Sequence, residues 1–182
     1  NIIKPIAIYD DKKYGYIIFP YAEGGDLFDL TCNEKVIFDN NQLKIITFVL
    51  LSAFERIHSN GFIYRDLKLE NIVFLRKFEE MMFDFSPDDI LLIDFGSIFI
   101  SNKSKSLENF RGTSFYSPPE YIFHKRVTEK YDIFSLGVLL YYLATSYLPF
   151  NPNYQYDEIE MKEMLGENKI DKLFDDAEWN GF

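Results

Sequence analysis

Seven apolar residues, Leu43, Ile46, Val49, Leu50, Ala53, Phe54 and Ile57, recur at intervals that place them on one face of a helix. Asn40 or Asn41 can cap its start, and Gly61 is the expected stop. Upstream the pattern differs. Ile2 to Ile8 and Tyr16 to Tyr21 read as two short strands joined by the polar turn Asp10-Asp11-Lys12-Lys13, with Gly15 close by. Gly24-Gly25 breaks this pattern, and Asp26 can cap a short helix carrying Leu27, Phe28 and Leu30.

Downstream, Asn71 to Leu75 and Ile90 to Ile93 are apolar runs of strand length. Between them lies Arg76 to Asp89, longer than a tight turn, with Met81, Met82, Phe83 and Phe85 among five acids. It reads as a tolerated surface insertion or as a docking element, since that many exposed apolar side chains usually have something to cover. Ile133 to Tyr147 is mostly apolar, and no charge appears through Tyr156. Pro149 and Pro152 interrupt it too early for a membrane span, and an all-round apolar helix suits the buried axis of a large domain. Asp157 to Leu165 reads as an exposed amphipathic helix, and Asp171 to Phe182 as an acidic stretch holding Trp179. No internal repeat or low-complexity linker appears.

Composition narrows the class. The chain has 182 residues, 47% of them hydrophobic and 18% aromatic, which argues for a globular chain with ample core. A net charge of −10 and a pI near 4.7 argue against nonspecific nucleic-acid binding. The single cysteine, Cys32, cannot form an internal disulfide and fits a reducing compartment. Asn1 to Pro5 has neither the length nor the apolar core of a signal peptide, so an intracellular location, cytoplasmic or nuclear, is expected. The chain has two histidines, His58 and His124, with no metal-ligand spacing. Buried hydrogen bonding is the expected role of His58.

The chemistry is concentrated in Tyr64-Arg65-Asp66-Leu67-Lys68-Leu69-Glu70-Asn71. Asp66 could accept a proton from a hydroxyl, Lys68 could neutralise charge on a transferred phosphoryl group, and Asn71 could hold a metal ion through its carbonyl oxygen. Asp94-Phe95-Gly96, at the end of the run Ile90 to Ile93, supplies a second metal-binding carboxylate. Phosphoryl transfer needs these parts, because catalysis there is mostly positioning and charge stabilisation.

This arrangement resembles the protein kinases. Their H-R-D-L-x-x-x-N catalytic loop is present with Tyr64 in the His place, and the D-F-G triplet is intact. Gly112 to Glu120 resembles their peptide-positioning loop and A-P-E motif, with Pro118 in the Ala place. Asp132 to Val138 resembles the start of their central buried helix, with Phe134 where Trp is usual, and Leu148-Pro149-Phe150 matches the turn that follows. A small-molecule phosphotransferase would leave Thr113 to Glu120 unexplained. The triplet with Ser97, together with Tyr116 to Glu120, is most similar to Pim-type members of the calcium/calmodulin-dependent kinase group.

The resemblance implies an α+β, protein-kinase-like fold. Residues 1–21 would be the last strands of the small N-lobe with the hinge, and residues 22–182 a truncated, mainly helical C-lobe. ATP and Mg2+ would be the cofactors. Phe19 would be the gatekeeper, Pro20 and Ala22 would offer backbone contacts to adenine, Asp26 would meet the ribose, and Val73 would form the apolar floor. Pro20 stands where Glu is usual, but it keeps the carbonyl that this contact uses. Asp66 would be the base, Lys68 would act on the transferred phosphate, and Asn71 and Asp94 would hold magnesium. Thr113 would position the peptide. Lys68 favours Ser/Thr substrates over Tyr. Asp94 to Glu120 would be an activation loop carrying Ser97, Ser101, Ser104 and Ser106, with Arg65 as the cation for a loop phosphate and Glu108 as a permanent negative charge.

Some family parts are not in the sequence. No Gly-x-Gly-x-x-Gly loop, Val-Ala-Ile-Lys strand or glutamate-bearing helix precedes the hinge, and the arginine that pairs with Glu120 in the family would lie beyond Phe182. The expectation is a fragment cut at both ends and inactive alone. The alternative is a noncatalytic kinase-like binding module, but intact Asp66, Lys68, Asn71 and Asp94 favour the enzyme. The partner is a protein substrate, with oligomeric state left open. Asp26 and Glu70 match places where basophilic kinases hold arginine upstream of the target hydroxyl, although Asp26 could merely cap its helix. Tyr142 stands where strongly basophilic relatives often have another acid, so the preference should be modest.

Overall fold

The computed structural model describes residues 1–101 and 114–149. Expectations on Ser104, Ser106, Glu108, Thr113, Phe150, the helix from Asp157 to Leu165 and the acidic stretch Asp171 to Phe182 lie outside these residues.

Strands β1 (Ala7–Asp10) and β2 (Gly15–Ile18) form an antiparallel hairpin in which Ala7 faces Ile18 and Asp10 faces Gly15. Asp11 closes its turn, its carboxylate accepting the amides of Lys13 and Tyr14 at 2.7 Å each. The hairpin begins later than the pattern predicts. Ile2 instead bridges Leu92 in parallel, and Pro5, with no amide to donate, separates the two pairings. It also ends earlier, since Phe19 to Tyr21 run on beyond β2.

Gly24 and Gly25 then lay the chain beside the strand that carries Val73. The Gly24 amide donates to the Phe74 carbonyl and the Phe74 amide to the Gly25 carbonyl, both at 2.9 Å. A side chain at Gly24 would meet the Arg76 carbonyl at 2.0 Å, so only glycine fits this approach. Asp26 caps the following turn by accepting the Asp29 amide at 2.8 Å, and a wide helical turn spans Asp29–Asn33.

Helix α1 (Asn40–Ser59) buries the seven residues whose spacing predicts it. Its cap is Asp39 rather than Asn40 or Asn41. Asp39 is extended, at φ −76° and ψ 170°, and its carboxylate accepts the amides of Asn41 and Gln42 while the Gln42 side chain accepts the Asp39 amide. This reciprocal box needs Gln three residues after the cap, which Asn40 and Asn41 lack. At the other end Gly61, at φ 76°, takes the left-handed conformation that stops the helix.

Short elements follow: β3 (Phe62–Ile63), β4 (Ile72–Phe74), the single turn α2 (Phe78–Met81), β5 (Ile90–Leu92), β6 (Phe99–Ile100) and α3 (Pro119–His124). β4 pairs antiparallel with β5, and β3 with β6. The last described helix, α4 (Lys130–Thr145), is the predicted apolar axis; it packs against α1 and buries Leu136, Val138, Leu139 and Leu143. Among the described residues no helix is long and apolar enough to cross a membrane.

The Arg76–Asp89 segment is partly core. Met81 is fully buried, and the Phe85 ring lies 6.1 Å from Phe38 and 6.0 Å from Phe74. Only Met82 and Phe83 are exposed as expected.

Candidate active site

The loop from Tyr64 to Asn71 leaves β3 and returns through β4, and a single carboxylate at the start of α4 fixes its course. Asp132 is fully buried and accepts the Tyr64 amide at 2.9 Å, the Arg65 amide at 2.8 Å and His58 Nε2 at 2.7 Å. A buried charge is tolerable when it is paired and hydrogen-bonded in this way. The anchoring holds Arg65 at φ 68°, a left-handed conformation that costs a non-glycine residue about 1–3 kcal/mol. His58 has the expected hydrogen-bonding role.

The three polar residues of the loop come together. Asn71 is buried, and its amide nitrogen donates to the Asp66 backbone carbonyl at 2.8 Å and lies 3.2 Å from the Asp66 carboxylate. Lys68 Nζ lies 3.6 Å from the same carboxylate. With its nitrogen committed to Asp66, the Asn71 side-chain oxygen is the end left for a cation. The β4–β5 register pairs Ile72 with Leu92, and the Ile93 amide donates to the Asn71 carbonyl at 3.0 Å. Asp94 therefore follows directly on the residue opposite Asn71. It too is left-handed, at φ 56°, with one carboxylate oxygen accepting the Gly96 amide at 3.0 Å.

Tyr64, in the histidine place, occupies the middle of this group. Its hydroxyl donates to the Ile93 carbonyl, and its ring meets Phe95 edge-on at 5.3 Å. Burial raises the phenol pKa far above its ordinary value, and the nearby carboxylates of Asp66 and Asp94 raise it further. Tyr64 thus stays protonated and joins the loop to the strand end bearing Asp94.

The donor set fits magnesium. Asn71 and Asp94 offer oxygen only, and among the described residues no group of three or more His, Cys, Asp or Glu side chains could hold a metal ion by itself. Mg2+ is characteristically bound through one or two such oxygens, its remaining positions going to water and substrate phosphates.

Val73 is buried and forms an antiparallel bridge with Asp26, which brings the proposed floor beside the proposed ribose contact. Phe19 is exposed, while Pro20 and Ala22 are half-buried. The Arg65 guanidinium donates through Nε and Nη2 to the Ser97 carbonyl, at 2.9 and 2.6 Å, and lies 4.9 Å from the centre of the Phe99 ring. Burial lowers its pKa from the ordinary arginine value. Arg65 thereby ties the loop to the segment after Gly96. Thr113 lies outside the described residues.

These features match one family over almost the whole chain. The protein kinase domain family model covers residues 1–181. The chain belongs to the protein kinase family. It is 37% identical over 161 residues to calcium-dependent protein kinase 6 of Plasmodium berghei, an alignment covering 88% of this chain and 10% of that protein. It is 35% identical over 163 residues to calcium-dependent protein kinase 4 of the same organism, covering 90% of this chain and 29% of that protein. It thus spans less than a third of either kinase. Among solved structures, a crystal structure of the yeast RNA Pol II CTD kinase CTDK-1 complex superposes with a TM-score of 0.70 at 26% identity, covering 88% of this chain and 50% of that one. The calcium-dependent kinases among its relatives agree with the calcium/calmodulin-dependent group to which the motifs point.

Two functional contacts in this kinase chain escape a reading of the sequence. One is the anchoring role of Asp132, whose signal is a lone acid opening a stretch that runs uncharged from Ile133 to Tyr156. The other is the bond from the Tyr64 hydroxyl to Ile93. It leaves no trace in a one-residue departure from a motif.

Proposed function

We propose that this chain carries the catalytic loop of a serine/threonine protein kinase that transfers the terminal phosphoryl group of ATP to protein hydroxyls. Residues 1–21 supply the hinge side and residues 22–182 the larger lobe. The observation that carries this reading is the Asn71 side chain, whose nitrogen is committed to Asp66 and whose oxygen is left for a cation beside Asp94. Asp66 accepts the proton of a serine or threonine hydroxyl as that oxygen bonds to phosphorus and ADP departs. Lys68 offsets charge on the transferred group. Asn71 and Asp94 would hold magnesium, which when bound would offset negative charge on the phosphate oxygens. Phe19, Pro20, Ala22, Asp26 and Val73 line the nucleotide site, and Thr113 positions the peptide.

The substrates we propose are proteins with basic residues before the target hydroxyl. Glu70 is exposed, and one Asp26 oxygen remains beyond the cap. The sequence holds no glycine-rich loop or strand lysine, so the reading is tested with those parts supplied.

The test is reconstitution. The 182 residues, joined to the small lobe and closing helices of a calcium-dependent relative, should transfer labelled phosphate from Mg-ATP to serine or threonine peptides, whereas the 182 residues alone should not. A folded joined enzyme that binds Mg-ATP without transfer would favour a binding module, and transfer by the isolated chain would refute the need for the supplied parts.

A further inference from the structure

The Arg76–Asp89 segment is not a slack loop. Arg76 clamps it, donating to Asp89 through Nε at 2.7 Å and Nη2 at 2.8 Å and to Asp84 through Nη1 at 3.1 and 3.2 Å. Ser86 and Asp89 form a capping box around Pro87. Met81 is fully buried, and the Phe38 ring contacts Phe74, Phe78 and Phe85 at 5.5 to 6.3 Å. This frame holds Phe83 outward at 97% exposure and Met82 at 58%. Five acids stand in the segment against Arg76 and Lys77. With Arg76 given to Asp84 and Asp89, the exposed carboxylates of Glu79, Glu80 and Asp88 outnumber the remaining cation, Lys77.

Single exposed apolar residues are ordinary, but here two adjoining ones, Met82 and Phe83, stand on a clamped frame in a segment that also exposes three carboxylates, and apolar surface rimmed by polar groups marks interaction sites. We propose that Met82 and Phe83 form a docking surface for a basic amphipathic segment of a partner protein. Its apolar side chains cover the knob, and its arginines and lysines meet Glu79, Glu80 and Asp88. The charge selects the partner: an acidic or neutral apolar segment would leave these carboxylates facing an unfavourable neighbour. The surface uses none of the residues assigned to phosphoryl transfer and does not rest on that activity.

The probe is a fluorescein-labelled amphipathic peptide of leucines alternating with arginines, titrated against the 182-residue chain by anisotropy. Binding should weaken with salt. Phe83→Ser should raise the dissociation constant roughly tenfold, and Glu79→Lys with Glu80→Lys should weaken binding and flatten its salt dependence. Glu55→Lys, exposed on α1, should leave binding nearly unchanged. All these positions are exposed, and far-UV circular dichroism checks that the fold is kept. Absence of binding, unaltered binding by Phe83→Ser, equal binding of a glutamate-for-arginine peptide, or a loss with Glu55→Lys as large as with the paired change would each overturn the proposal. So would self-association of the chain that Phe83→Ser abolishes, because it assigns the knob to a second copy.

Discussion

The carboxylate of Asp132 accepts the backbone amide of Arg65 at 2.8 Å, joining residues 67 positions apart. Through this bond and those from Tyr64 and His58, the central helix holds the catalytic loop by its backbone. This anchoring acts on the backbone amides of Tyr64 and Arg65 and uses none of the side chains of Asp66, Lys68 and Asn71. Removing the carboxylate strands two buried amides and the partner of His58 together. Asp132→Ala should destabilise the chain by about 3–5 kcal/mol, and Asp132→Asn, which keeps one acceptor, by less. Urea unfolding would measure both. A change below about 1 kcal/mol for Asp132→Ala would show that the loop is held by other contacts.

Tyr64 should tolerate loss of its ring oxygen poorly. Tyr64→Phe removes the hydroxyl that donates to the Ile93 carbonyl and also meets the Asn71 side chain, at a cost of about 1–3 kcal/mol. In the joined enzyme the same change should weaken Mg-nucleotide binding, because Ile93 directly precedes Asp94. Unaltered stability with unaltered nucleotide affinity would separate the two.

Burial pushes the Tyr131 phenol up to about 12, and it raises Tyr64 and Tyr116 as well. Below about pH 10, the ordinary tyrosine value, folded and unfolded chains both keep these protons and stability is full. Above it the unfolded chain loses protons that the folded chain retains. Stability should therefore fall as pH rises from about 10 toward 12. Urea midpoints at stepped pH, with tyrosinate absorbance followed in parallel, would check this. Simultaneous titration of all thirteen tyrosines near 10, without unfolding, would contradict it.

Periodicity reveals α1 residue for residue, because its buried face is a local property of the chain. Its cap is harder to read, since Asp39, Asn40 and Asn41 can all accept an amide and only the side chain of Gln42 distinguishes them. The loop acids are legible as motifs, but their proximity to Asp94 depends on the register of β4 on β5. The Arg76–Asp89 insertion is visible as length and composition. Which of its apolar residues turn inward is settled by Phe38, a residue from a distant part of the sequence.

The roles assigned to the two acids make distinct kinetic claims. In the joined enzyme Asp66→Asn should reduce turnover about 10²–10⁴-fold with nucleotide affinity nearly unchanged, as expected of a base that acts in the transition state. Asp94→Asn should weaken Mg-nucleotide binding as well. Identical effects of both changes on both quantities would contradict the assignment.

Substrate choice turns on Asp26 and Glu70. Asp26 gives one oxygen to the Asp29 amide, so it caps its turn while its second oxygen remains for a ligand. Glu70 is exposed, and after burial its charge is a further cause that raises the Tyr116 phenol. Tyr142 offers a hydroxyl 3.1 Å from the Cys32 sulfur where a third acid would strengthen the attraction for arginine. Two carboxylates should give a modest preference for Arg or Lys before the target hydroxyl through charge-assisted bonds. A peptide-library screen of the joined enzyme should show that enrichment. Glu70→Ala should reduce it without loss of stability, while Asp26→Ala should also cost about 1 kcal/mol through the lost cap. A library with no basic enrichment, or enrichment indifferent to both changes, would leave Asp26 as a cap and Glu70 as a solvated charge.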